Sequence, residues 1–223
     1  MSQFARAASR GIHFAKGQIP QRPKAHVING KLPDDLASRY KAAFILIYQQ
    51  IPRLLQFDQK EKIRVLLGRE DRSHKKGSKA DWNSFGGKRE KDANGKYIET
   101  DCKITALREL HEETRGIFQR YDGDIVRQMN EGKKVYNPNG DYVTFLIRLD
   151  SEEEDFPTEF LATPNHIECK QDMLRWFTLS EVRDARATRS FKIEGEDQPI
   201  APVLGCVSYF LNDTNLSLSN EEK

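Results

Sequence analysis

Residues 108–117 read RELHEETRGI, and no other stretch constrains the chain as tightly. If it is helical, positions i, i+3 and i+4 share a face, so Glu109, Glu112 and Glu113 project together. Adjacent Glu112 and Glu113 splay by roughly 100°, yet both stay within reach of a site beside Glu109. Like charges at this spacing cost a few tenths of a kcal/mol per pair on an exposed helix. Arg108 can relieve part of the repulsion through an i,i+4 pair with Glu112, and a cation would relieve more. Carboxylate oxygens are hard ligands that suit Mg²⁺ or Mn²⁺. No neighbouring Cys or His completes a zinc set, and His111 reads as a surface residue on another side of the helix. Taken alone, the cluster also reads as a solvated helix face, so its surroundings decide.

Upstream, WNSFGGKRE (residues 82–90) brings a short aromatic strand to a glycine pair, where backbone can approach a ligand closely. EKDANGKY (90–97) follows as a turn-rich loop, tightest at Asn94-Gly95. The acidic helix is expected over Asp101 to Arg115, capped by Asp101 or Thr100. Ile104, Leu107 and Leu110, with Ala106, form its apolar stripe, and Gly116 supplies the left-handed residue after it. KAAFILIYQQ (41–50), KIRVLLGRE (62–70) and YVTFLIRL (142–149) read as strands. MLRWFTLSEV (173–182) reads as a strand passing into a helix, SEEEDFPTEF (151–160) as an acidic loop, and APVLGCVSYFL (201–211) as a closing helix. Strands mixed with two or three helices predict a mixed α/β sandwich in one domain. Trp82, Phe85 and Trp176 sit at strand positions, where aromatic residues usually belong to the core.

The chain has 223 residues, enough for one domain with a sizeable core. Its fullest apolar run, AAFILIY, is far too short to span a bilayer, and no long apolar stretch follows the basic start, so no secretory signal is expected. Cys102, Cys169 and Cys206 are irregularly spaced and predict free thiols in a reducing compartment, hence a cytoplasmic location. Six of the 36 basic residues and none of the 34 acidic ones lie within residues 1–33, leaving the remainder at −4. Such an arm suits an anionic partner, a mitochondrial targeting segment or a solvated terminus. Residues 17–35, with Gly17, Pro20, Pro23, Gly30 and Pro33, read as linker and turn. The expected organisation is therefore a basic arm and linker over 1–35, a domain over 36–212 and a tail over 213–223. The basic loop from Arg69 to Lys79 could guide phosphates or an RNA backbone, or it is simply solvated.

The glycine turn, loop and acidic helix together resemble the Nudix hydrolase family. That family's box runs Gly, five residues, Glu, seven residues, then Arg-Glu-apolar-any-Glu-Glu-any-Gly-apolar. Gly87 matches the opening glycine; Arg108, Glu109, Leu110, Glu112 and Glu113 match the core; Gly116 and Ile117 match the end. WNSFGGK and LRWFTLSEV look like family flanks, so the resemblance covers roughly residues 40–210. Two departures stand out. Twenty residues separate Gly87 from Arg108 where the pattern has thirteen, so the middle glutamate is either Glu99, one residue too far from Arg108, or Glu90 in its GGKRE context. Arg115 is an extra residue before Gly116.

The resemblance implies a Nudix-type α/β/α sandwich with a mixed β-sheet. It also implies hydrolysis of a diphosphate bond in a nucleoside diphosphate derivative, such as an ADP-ribose-like nucleotide. Magnesium, or manganese, would be held by Glu109, Glu112, Glu113 and the Gly87 backbone, with Arg108 orienting the glutamates. Arg69, Arg72, Lys88, Glu90 and Glu99 are the substrate-side candidates; Glu153, Glu159 and Glu168 are further loop acids. An RNA 5′ end or cap is an alternative substrate, a catalytically silent nucleotide-binding module is a second alternative, and a homodimer is possible for such a fold; no membrane partner is expected.

Overall fold

Strand β2 (Ala42–Gln50) is apolar on both faces because it runs through the middle of the sheet. It lies parallel to β7 (Tyr142–Arg148) along its length and antiparallel to β3 (Ile63–Glu70) only through Ile47–Gln50. Beyond that point β2 and β3 diverge. Strand β4 (Asp81–Asn83) runs along β3 towards the branch, Ser84 turns the chain, and β5 (Phe85–Lys88) runs back along β2. β8 (Gln171–Thr178) covers the other edge of β3, while β6 (Lys133–Asn137) and β1 (His26–Asn29) extend the sheet beyond β7. The result is an eight-stranded mixed sheet, and the two-stranded β9 (Ser190–Ile193) and β10 (Glu196–Pro199) stand apart from it. This computed structural model describes residues 25–50, 63–71, 80–150, 155–166, 169–201 and 204.

Side chains alternate across each strand, so the sheet buries two separate cores. One face carries Ala43, Ile45, Ile47, Leu66, Val143 and Phe145. Against it pack α1 (Asp34–Arg39), α2 (Cys102–Glu113), α3 (Asp122–Glu131) and α4 (Phe156–Ala162). The opposite face carries Leu46, Val65, Leu67, Trp82 and Phe177, covered by α5 (Leu179–Thr188) and β9. That is the expected α/β/α sandwich. Trp82 and Phe85 are fully buried, as their strand positions predicted. Among the described residues no helix is long and apolar enough to cross a membrane.

Several expectations need correction. β1 begins at His26, inside the stretch read as linker; four residues ending at Asn29 are too short to show a period. Five α-helices and a short 3-10 turn, Gln119–Tyr121, are present among the described residues where two or three helices were expected. Part of the acidic loop is α4: Asp155 caps it, donating nothing and accepting from Thr158 N–H, and Pro157 sits in the first turn. Ile104 is 54% exposed, because α2 turns Cys102, Ala106 and Leu110 inward at four-residue steps. The first 24 residues, the tail over 213–223 and most of the expected closing helix lie outside the described residues.

Candidate active site

The acids reach the site because α2 is fixed at both ends. Asp101 caps its start, accepting from Lys103 N–H at 2.9 Å. At its end, Thr114 N–H donates to Leu110 O, after which Arg115 and Gly116 both adopt left-handed φ, 56° and 75°. The extra Arg115 thus lies outside the helix, and the run from Arg108 to Glu113 keeps regular spacing. Arg115 Nη1 donates to the carbonyls of Phe160 and Thr163 at the end of α4, with its guanidinium 4.0 Å over the Phe160 ring.

Glu113 is buried, and its Oε2 accepts the Gly86 N–H at 2.8 Å. Burial pushes its carboxyl up to about 8; the neighbouring charges of Glu109 and Glu70 add to this, while the Gly86 and Gln171 hydrogen bonds oppose it. Gly86 is required there: with φ at +152°, a β-carbon would stand 2.4 Å from the Ala43 carbonyl. Glu109 lies against Gly87, where a β-carbon would come within 2.3 Å of Oε1. Its carboxyl is also raised, by burial first, with Arg108 and Lys170 opposing and Glu112 adding.

Arg108 ties the cluster together. Its Nε donates to Glu99 Oε1 at 2.9 Å, and its Nη1 lies 3.0 Å from Glu109 and 2.9 Å from Glu112. Glu99 is the anchor. Although burial alone would raise its pKa, hydrogen bonds from Arg108, Thr105 and the Glu90 N–H hold it below the usual range. Thr105 is in turn bonded to the Tyr40 hydroxyl at 2.9 Å.

The structure therefore brings Gly87, Glu99, Arg108, Glu109, Glu112 and Glu113 together. Of the two middle-glutamate candidates, Glu99 joins the network with its carboxylate; Glu90 keeps its side chain exposed and contributes its backbone N–H. Lys88 is exposed on β5, and its carbonyl accepts a long 3.4 Å bond from Arg108. Arg69 is engaged elsewhere, in a two-pronged pair with Asp172 at 2.8 and 2.9 Å. His111 is half-buried, not a bare surface residue, with Nε2 2.8 Å from Asp122. Glu159 pairs with Arg120. Arg72, Glu153 and Glu168 lie outside the described residues.

Sequence reasoning missed the far wall, made by Glu70, Lys170 and Gln171. β3 and β8 bring these together across about a hundred residues of chain, placing Glu70 opposite Gln171, and no local pattern marks them. Gln171 is 3% exposed, and its Oε1 has no hydrogen-bond partner among the described residues. Tyr40, 65 residues from Thr105, was missed for the same reason.

The NUDIX domain family matches residues 52–194, well over half of the chain. The chain belongs to the Nudix hydrolase family. A comparison with curated proteins gives no match. Membership of the Nudix family supports hydrolysis of a nucleoside diphosphate-linked substrate in general, and Nudix enzymes generally use divalent metals such as Mg²⁺.

Chemically, the residues fit such an ion. All the donors are hard oxygens, and the lack of a side chain at Gly87 lets the Glu109 carboxylate lie against the backbone. Buried Glu113 has no cationic partner among the described residues to balance its ionised form. As arranged here, no three His, Cys, Asp or Glu side chains among the described residues converge closely enough to hold an ion. The reason is visible: Arg108 stands between Glu109 and Glu112, and Glu113 turns to the Gly86 N–H.

Proposed function

We propose that this Nudix protein is a Mg²⁺-dependent pyrophosphohydrolase that cleaves the diphosphate bond of a nucleoside diphosphate derivative, an ADP-ribose-like nucleotide being the type case. One observation carries the reading: Glu109 and Glu113 are both held, largely buried and with raised pKa, against the Gly86–Gly87 backbone. Carboxyls held out of water with raised pKa in one cleft mark a site where a bound positive charge would favour their ionised forms.

Glu109, Glu112, Glu113 and the Gly87 backbone would hold the ion. When bound, it supplies charge neutralisation of the diphosphate oxygens and a lowered pKa for a coordinated water. The chain's own residues do the rest. Arg108 sets the directions of Glu109 and Glu112, and Glu99 fixes Arg108 from behind. The missing side chain at Gly87 leaves room for the Glu109 carboxylate beside the backbone. Burial around Glu113 excludes bulk water and strengthens every charge interaction there.

The test is a panel of nucleoside diphosphate derivatives, with a triphosphorylated RNA 5′ end among them, incubated with Mg²⁺ and analysed by product mass. Wild type should cleave at least one member, and Glu112→Gln and Glu113→Gln should each lose on the order of 10²-fold or more in kcat. A wild type inert on every member would favour a silent nucleotide-binding module. Variants as active as wild type would refute the site.

A further inference from the structure

β5 does more than present Gly87 to the acids. The chain that leaves it lines a cavity of about 600 Å³ with Lys41, Lys88, Arg89, Lys91, Tyr97 and Tyr142. Four cations share this space. Only Lys41 has a carboxylate partner among the described residues, Asp141 at 2.9 Å.

The arrangement is built, not a chance gathering of surface lysines. Arg89 is held from two sides: its Nε donates to the Glu99 carbonyl at 2.6 Å and its Nη1 to the Ser38 carbonyl at 3.0 Å. Its guanidinium lies 4.6 Å from the Tyr40 ring centroid and 4.4 Å from that of Tyr97. Lys91 Nζ lies 4.7 Å from the same Tyr97 ring. The Tyr97 ring is therefore engaged by cations, and Tyr142 packs edge-on against Phe44. Neither is a free platform for a nucleobase, so the cavity offers charge.

Its position gives that charge a use. Lys88 follows Gly87 directly, and Arg89 is bonded to the backbone of Glu99, whose carboxylate holds Arg108. The positive cavity and the acidic cluster are thus joined through the same short segment. Like charges left without counter-ions repel one another, and a multivalent anion placed among them reverses that penalty.

We propose that this cavity is an anion subsite for a phosphate group of the substrate lying beyond the scissile diphosphate. The inference rests on the hydrolase reading and narrows it to nucleoside diphosphate derivatives carrying at least one further phosphate, which ADP-ribose itself lacks. Lys88 and Lys91 supply the mobile charges, and Arg89 a fixed one.

Binding can be measured without turnover. The full chain is titrated calorimetrically with inorganic tripolyphosphate in EDTA, where the acidic cluster repels anions and only basic sites compete. Wild type should bind, and the pair Lys88→Ala/Lys91→Ala should weaken binding at least tenfold. Lys91→Glu alone should do nearly as much, whereas Lys103→Ala, on α2 away from the cavity, should match wild type. Pyrophosphate should bind more weakly than tripolyphosphate. Melting curves of the variants establish that the fold is intact; Lys88 and Lys91 are exposed and Lys103 is half-buried. Tripolyphosphate affinity that ignores both Lys88→Ala/Lys91→Ala and Lys91→Glu would overturn the subsite, even in an active hydrolase. Binding that responds as expected in a protein that cleaves nothing would leave the subsite standing as an anion site while the hydrolase reading fails.

Discussion

The Glu109 carboxylate occupies the space that a side chain on Gly87 would need: a β-carbon there would lie 2.3 Å from Oε1 and 2.4 Å from Cδ. The obstructing atoms are the far end of a flexible side chain, so the helix and sheet need not move. Gly87→Ala should therefore displace the carboxylate at little cost to the fold. We expect kcat/KM to fall on the order of 10²-fold while the melting temperature stays within about 3 °C of wild type. A matched loss of stability and activity would contradict this account.

The neighbouring glycine behaves oppositely. At Gly86 the obstructing atoms are backbone: the Ala43 carbonyl at 2.4 Å and Phe44 Cα at 2.5 Å, with φ at +152°. Gly86→Ala must push β5 away from β2 in the centre of the sheet. We expect a loss of at least about 2 kcal/mol in denaturant unfolding. Unchanged stability would show that β5 has room that the register denies it.

Much of the site was legible because it is local. Glu109, Glu112, Glu113 and Arg108 sit on one helix, and helical spacing alone groups them. The glycine pair marked the close approach, and the long strands β2, β3 and β7 announced themselves by apolar runs. What escaped was non-local or short. Ile104 looked like a core residue by its three-residue spacing to Leu107, yet Thr105 is the residue turned inward, where Tyr40 and Glu99 satisfy its hydroxyl. The lengthened loop between Gly87 and Arg108 hid Glu99 from counting. Only the fold shows that Lys91 and Tyr97 pair across that insertion and return Glu99 to Arg108.

Glu99 gives a pH prediction with a defined sign. Its folded pKa is lowered, since hydrogen bonds from Arg108, Thr105 and the Glu90 N–H outweigh the effect of burial. A depressed carboxyl binds fewer protons folded than unfolded, so its stabilisation is present above the unfolded pKa of about 4.5 and is lost as pH falls through the folded value. Glu99→Gln removes a charge-assisted partner of Arg108 and should cost about 1–3 kcal/mol at pH 7. The gap to wild type should narrow as pH is lowered below about 4.5, measured by urea unfolding across pH. A gap independent of pH would mean that the carboxylate charge is not what holds Arg108.

Glu113 carries the opposite sign. Burial raises its folded carboxyl to about 8, so without a divalent ion the native state keeps a proton that the unfolded chain releases. Its contribution is therefore fully present below about pH 4.5 and lost as pH rises through about 8. Gln has nearly the same shape and can still accept the Gly86 N–H, but it never ionises. In EDTA, Glu113→Gln should melt close to wild type near pH 4, where folded and unfolded wild type both hold the proton, and progressively above it as pH rises, by roughly 4 °C or more at pH 9. Adding Mg²⁺ or Mn²⁺ at pH 8 should raise the melting temperature of wild type, because an ion that binds only the folded state stabilises it. The same addition should leave Glu113→Gln nearly unmoved. If both proteins respond equally to the ion, Glu113 does not hold it, and the buried carboxyl needs another explanation.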